Sequence, residues 1–91
     1  MELSERFIKQ LESEGFDTVY EHQDSAGKIY EAHSHPYPTS LYITDGDMTV
    51  TIDEVEYYVA QNKRFDIPAG VEHAVEIGPA GAIYIIGEGA A

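Results

Sequence analysis

The sequence has no cysteine and no tryptophan. Without cysteine, neither a disulfide framework nor a thiolate metal site can form. That absence leaves the redox compartment open. Basic residues are scarce, with five Lys and Arg against seventeen Asp and Glu and a formal net charge of −12 at pH 7. A surface of that sign repels phosphate backbones and anionic lipid, which argues against nucleic-acid and membrane partners. The acids are spread along the chain, so they read as a solvated exterior. No apolar run approaches the length needed to cross a bilayer. The opening stretch, MELSERFIKQ, carries charges where a secretory signal needs an apolar segment. The expected location is therefore the cytoplasm.

What is present is globular in character: 91 residues, 43% hydrophobic, with seven tyrosines and three phenylalanines. That length suits one domain with a small core, spanning residues 1–91. Leu3, Phe7, Ile8 and Leu11 recur at helical spacing, and Glu5 precedes Lys9 by four residues on the exposed side. Gly15 stands where a left-handed C-terminal cap belongs, with Phe16 placed to pack back on Leu11. The spacing predicts a helix over 4–14, lying as a lid on the remainder of the domain.

Beyond Gly15 the period becomes two. Strands are expected over 19–23 and 28–33, with Asp24-Ser25-Ala26-Gly27 as a turn between them. Leu41 and Ile43 resume the alternation after Pro36 and Pro38. Asp45-Gly46 is a strong hairpin signal before Met48, Val50 and Ile52, and Asp53-Glu54 a weaker turn before Val55, Tyr57 and Val59. Phe65 and Ile67, then Val75 and Ile77, then 82–86 complete the series. Short strands at regular intervals argue for a sandwich or barrel, and the length favours one compact jelly roll. The expected fold class is all-β, with a short N-terminal α-helix.

The chemistry lies in the histidines. His33 and His35 are two apart near a strand end, so their side chains share a face and can meet one ion. Pro36 cannot continue a sheet ladder, which places the pair near a barrel mouth. A lone His-x-His is also compatible with paired surface or capping histidines. His73 follows the turn Pro68-Ala69-Gly70 and shares the parity of Val75 and Ile77. If those two face the interior, so does His73, and a buried imidazole needs a partner. A metal shared with His33 and His35 would supply one.

At this point the chain resembles the cupin superfamily, in its small single-domain form. The family's first motif runs glycine, five residues, His-x-His, three or four residues, glutamate, six residues, glycine; here Gly27 leads to His33-Ser34-His35, and Gly46 closes it. The second runs glycine, five residues, Pro-x-Gly, two residues, histidine, three residues, asparagine; here Pro68-Ala69-Gly70-Val71-Glu72-His73 matches without a gap. The resemblance implies a double-stranded β-helix, or jelly-roll barrel. It also implies one divalent transition metal on His33, His35 and His73. Three positions depart from the pattern. Thr39 replaces the glutamate that often serves as a fourth ligand, Asn62 the second motif's opening glycine, and Ile77 its closing asparagine. Asparagine tolerates the left-handed backbone, so Asn62 is a mild change. Thr39 is the consequential one, because three neutral imidazoles leave the ion's double charge uncompensated.

Imidazole ligands favour zinc, iron, nickel, copper or manganese over calcium and magnesium. Tyr37, Thr39, Leu41 and Phe65 are the candidate pocket residues around the site. His22 lies outside both motifs, and a surface role is expected for it. Within the resemblance, three-histidine cupins include dioxygenases. The function classes that stay open are an enzyme acting on a small organic molecule (a dioxygenase or isomerase) and a binding or sensing module without turnover. Vestigial histidines are a third. The tyrosines and the strand edges of a short barrel also suggest a homodimer.

Overall fold

The computed structural model describes residues 2–90. It opens with helix α1 (Leu3–Ser13), then strands β1 (Thr18–Asp24), β2 (Ile29–His33), β3 (Thr39–Ile52), β4 (Val55–Val59), β5 (Arg64–Ile67) and β6 (His73–Glu88). Among the described residues, no helix is long and apolar enough to cross a membrane.

The two long strands, β3 and β6, organise the fold. They pair antiparallel from Thr39↔Glu88 to Thr51↔Ala74, and each serves two layers. In one layer β1 joins the second half of β6 and β5 joins the first half of β3. In the other, β2 joins the first half of β6 and β4 the second half of β3. The single antiparallel sheet thus folds over itself as a jelly roll. Leu41, Ile43, Met48, Val50, Val59, Ile67, Ile77, Tyr84 and Ile86 fill the interior.

This topology corrects one turn expectation and one strand division. Asp45-Gly46 is not a hairpin, because β3 runs through it with register shifts on either side of the pair. Gly46 has φ +78°, and a Cβ there would collide with the Gly81 carbonyl oxygen. The two long strands therefore cross between layers at facing glycines. The same corner keeps β6 continuous through 78–81, where the sequence implies two separate strands. The reversal after β3 falls instead at Asp53-Glu54, both at positive φ (53° and 67°), between paired Ile52 and Val55.

Helix α1 ends as the sequence implies. Phe16 N–H donates to Leu11 O and Gly15 N–H to Glu12 O, the paired bonds of a glycine C-cap. Leu11 is fully buried, and the Leu11 and Phe16 side chains both lie against Gly87 of β6. Phe7 stacks on Tyr42 of β3, with ring centres 4.0 Å apart. Arg64 of β5 then grips Glu14 through both carboxylate oxygens at 2.6 and 2.7 Å. The helix covers the outer face of the first layer, and none of its residues lines the cavity.

Candidate metal centre and cavity

His33 ends β2 and pairs directly with His73, the first residue of β6. His35 lies just past β2, in the segment leading to β3. Its carbonyl accepts from Gly70 N–H at 2.7 Å, which ties the His-x-His segment to the Pro68-Ala69-Gly70 turn. The ring centres are 4.4 Å apart for His33–His73, 4.8 Å for His33–His35 and 5.0 Å for His35–His73. One donor nitrogen from each ring lies within 4.8 Å of the others.

The other nitrogens settle which face the centre. His33 Nδ1 is 2.7 Å from Glu31 O and His73 Nδ1 is 2.9 Å from Val71 O. A carbonyl oxygen only accepts, so both Nδ1 atoms carry the proton and both Nε2 lone pairs are free. His35 Nδ1 sits 3.2 Å from Thr39 Oγ1, a hydroxyl that can donate or accept; with Nδ1 as the donor, its Nε2 is free as well. Burial, then the neighbouring His73 and His33 rings, push His35 below the ordinary imidazole value, with Glu88 opposing. This donor set could hold a transition metal. On a tetrahedral ion, two nitrogens at about 2.1 Å each stand about 3.4 Å apart, so the rings would draw in by up to about 1.4 Å from the 4.8 Å limit seen here to close on it.

The histidines line one part of a cavity of about 240 Å³, with Thr39, Leu41, Met48, Ile67, Val75 and Ile86 supplying much of the rest of its wall. Tyr37 does not line that wall. Its ring stacks on His35 at 5.2 Å and its hydroxyl donates to Glu88 at 3.3 Å. Phe65 lies away from the cavity, packing on the core with its ring 5.4 Å from Tyr57.

A second polar cluster lines the same cavity. His22, for which a surface role is expected, is partly exposed and lines the cavity with Tyr20 from the same side of β1. Asp24, expected in a turn, is the last residue of β1 and is buried. It accepts from Tyr84 OH at 2.6 Å and Tyr30 OH at 2.8 Å, with His22 Nε2 at 3.0 Å. Burial alone would push the Asp24 carboxyl up, but the Tyr84, Tyr30 and His22 donors outweigh it and hold it down. Burial, then Asp24, push the Tyr84 phenol well above its usual range. Burial, then the Glu88 carboxylate, push Tyr20 up to about 12. The sequence carries one sign of this cluster, the polar Tyr20-His22-Asp24 alternation on a strand that gives the core no apolar side chain. Glu88, from the end of β6, also lines the cavity.

Residues 19–85 match the family described as the cupin domain. The chain belongs to the cupin family. Solved structures similar to this cupin include an RmlC-like cupin from Shewanella frigidimarina, with 23% identity, a TM-score of 0.69, and coverage of 80% of this chain and 66% of that one. A DMSP lyase from Ruegeria pomeroyi has 18% identity and a TM-score of 0.71, over 79% of this chain and 37% of the lyase. A protein of unknown function from Rhizobium leguminosarum has 12% identity and a TM-score of 0.75, over 81% and 70%. At these identities the likeness is one of fold. Comparison with curated proteins gives no match.

Proposed function

We propose that this cupin binds one divalent transition metal through Nε2 of His33, His35 and His73 and presents it to a small organic molecule in the adjoining cavity. The observation that carries this reading is the occupied Nδ1 of all three rings, bonded to Glu31 O, Val71 O and Thr39 Oγ1. Metal-binding imidazoles characteristically have that second bond, which fixes the tautomer and the ring direction. Ligand type supports zinc, iron, nickel, copper or manganese. When bound, the ion supplies Lewis acidity for an anionic or enolisable group. With threonine at position 39, no carboxylate from that position offsets its charge.

The volume of about 240 Å³ restricts the ligand to a compact molecule, since drug-sized ligands occupy about 300–1,000 Å³. Leu41, Met48, Ile67, Val75 and Ile86 suit a short carbon skeleton, and Tyr37 fixes His35 from behind by stacking. Oxygenation and isomerisation are the reaction classes that such a centre suits. Elemental analysis tests the metal centre. Purified protein reconstituted with each of the five ions should hold close to one ion per chain, and His73→Ala should lose most of it. No metal in the wild type after reconstitution would overturn the reading.

A further inference from the structure

The cluster at His22 is built more fully than a packing role demands. Asp24 receives three donors from three strands: His22 Nε2 within β1, Tyr30 OH from β2 and Tyr84 OH from β6. Three donors favour the ionised carboxylate, which can only accept. His22 Nε2 therefore carries a proton and donates it to Asp24, with Tyr30 OH also near at 3.3 Å. The lone pair is then left on Nδ1, which makes no hydrogen bond among the described residues. The His22 side chain is 40% exposed and lines the cavity, whereas its orienting partner Asp24 is 7% exposed. A buried carboxylate fixing one nitrogen of an imidazole that lines a cavity, with the other nitrogen unbonded, is the arrangement of a held general base.

We propose that His22 is the proton-transfer residue of this cavity, positioned by Asp24, and that the substrate is a small molecule with an acidic C–H or O–H bond. The proposal deepens the reading of the cavity as a substrate site and rests on it. In the step, His22 Nδ1 takes the proton and the electron pair of the broken bond stays on the substrate. The Nε2 proton stays on His22, hydrogen-bonded to Asp24, whose charge stabilises the imidazolium, and the reverse transfer restores the base. No oxidant or reductant is needed, so the chemistry belongs to enolisation, isomerisation or elimination. The charged and titratable groups facing His22 are Asp24 and Tyr20 on β1, Tyr30 on β2 and Tyr84 on β6. The Lys28 ammonium lies 5.4 Å from the Tyr30 ring centre, and Glu88 lies farther along the cavity wall.

Two measurements test it. Nitrogen-15 NMR of the metal-free protein should show neutral His22 protonated at Nε2, with the lone pair on Nδ1. In folded Asp24→Asn that preference should weaken. Neutral His22 protonated at Nδ1 in the wild type, or an unchanged preference in Asp24→Asn, would overturn the proposal. The second uses hydroxyacetone in deuterium oxide with the zinc-reconstituted protein, following loss of the methylene proton signal. Exchange should fall by about 100-fold or more in His22→Gln, with the metal content unchanged. Equal exchange in His22→Gln, or none above buffer in a wild type that holds metal, would also overturn it and leave the metal centre standing. A wild type without metal would instead overturn the metal centre, and the His22 tautomer would still decide this proposal.

Discussion

Thr39 Oγ1 lies 3.2 Å from His35 Nδ1, so the residue at the position of the family motif's glutamate is the hydrogen-bond partner of a histidine proposed as a metal ligand. The two side chains come from β3 and from the segment just before it, and Thr39 is only 5% exposed. Thr39→Val keeps the volume and removes the acceptor. His35 is then free to change tautomer or turn, and the affinity for a transition ion should fall about 10- to 100-fold without loss of the fold. Competition titration against a metal indicator measures this. Wild-type affinity in Thr39→Val would show that the bond does not orient His35.

The motif histidines are legible in the sequence because their spacing is local: His33 and His35 share a face, and the turn at 68–70 aims His73. The false hairpin at Asp45-Gly46 has a specific cause. A two-residue hairpin and a corner within a long strand both call for positive φ at the glycine, so the local signal gives the dihedral but not the reversal of the chain. Conversely, Asp53 tolerates positive φ but Glu54 is a poor residue for it, yet the two turn the chain because Ile52 pairs with Val55. Composition alone puts Asp24 in a turn. Its burial depends on Tyr84, 60 residues away, a partner no local pattern reveals.

Metal binding should be measurable as stability. An ion that binds only the folded chain stabilises it by about 2.7 kcal/mol at 100 times its Kd. For a domain of this size, each 1 kcal/mol moves Tm by about 4–8 °C. Calorimetry of the reconstituted protein before and after chelation should therefore show a fall of ten degrees or more, on the order set by those two relations. His73→Ala should show no response to the chelator. An equal response in wild type and variant would place the ion elsewhere.

Gly27 and Gly46 give a paired test of the corner. Both have positive φ (73° and 78°), but a Cβ at Gly27 meets nothing within 4 Å, whereas at Gly46 it meets the Gly81 backbone. Gly27→Ala should cost about 1 kcal/mol, the dihedral penalty alone. Gly46→Ala should cost at least about 2 kcal/mol more or abolish cooperative unfolding, because backbone must move. Urea denaturation of both variants decides it, and equal midpoints would mean that the strands do not cross here.

Acid should loosen the helix before the barrel. The Arg64 hydrogen bonds, with help from Gln10, hold the Glu14 carboxyl down to about 2. A carboxyl whose folded value is depressed stabilises the fold fully above its unfolded value of about 4.3, and that contribution fades as pH falls toward 2. With side chains 25% and 30% exposed, the pair is partly screened, so its contribution is about 1 kcal/mol or less. Glu14→Gln should therefore melt below the wild type at pH 7, and the gap should close between about pH 5 and pH 2. Raising the salt at pH 7 should narrow it as well. A gap unchanged across that pH range would mean that Glu14 acts through packing and not through its charge.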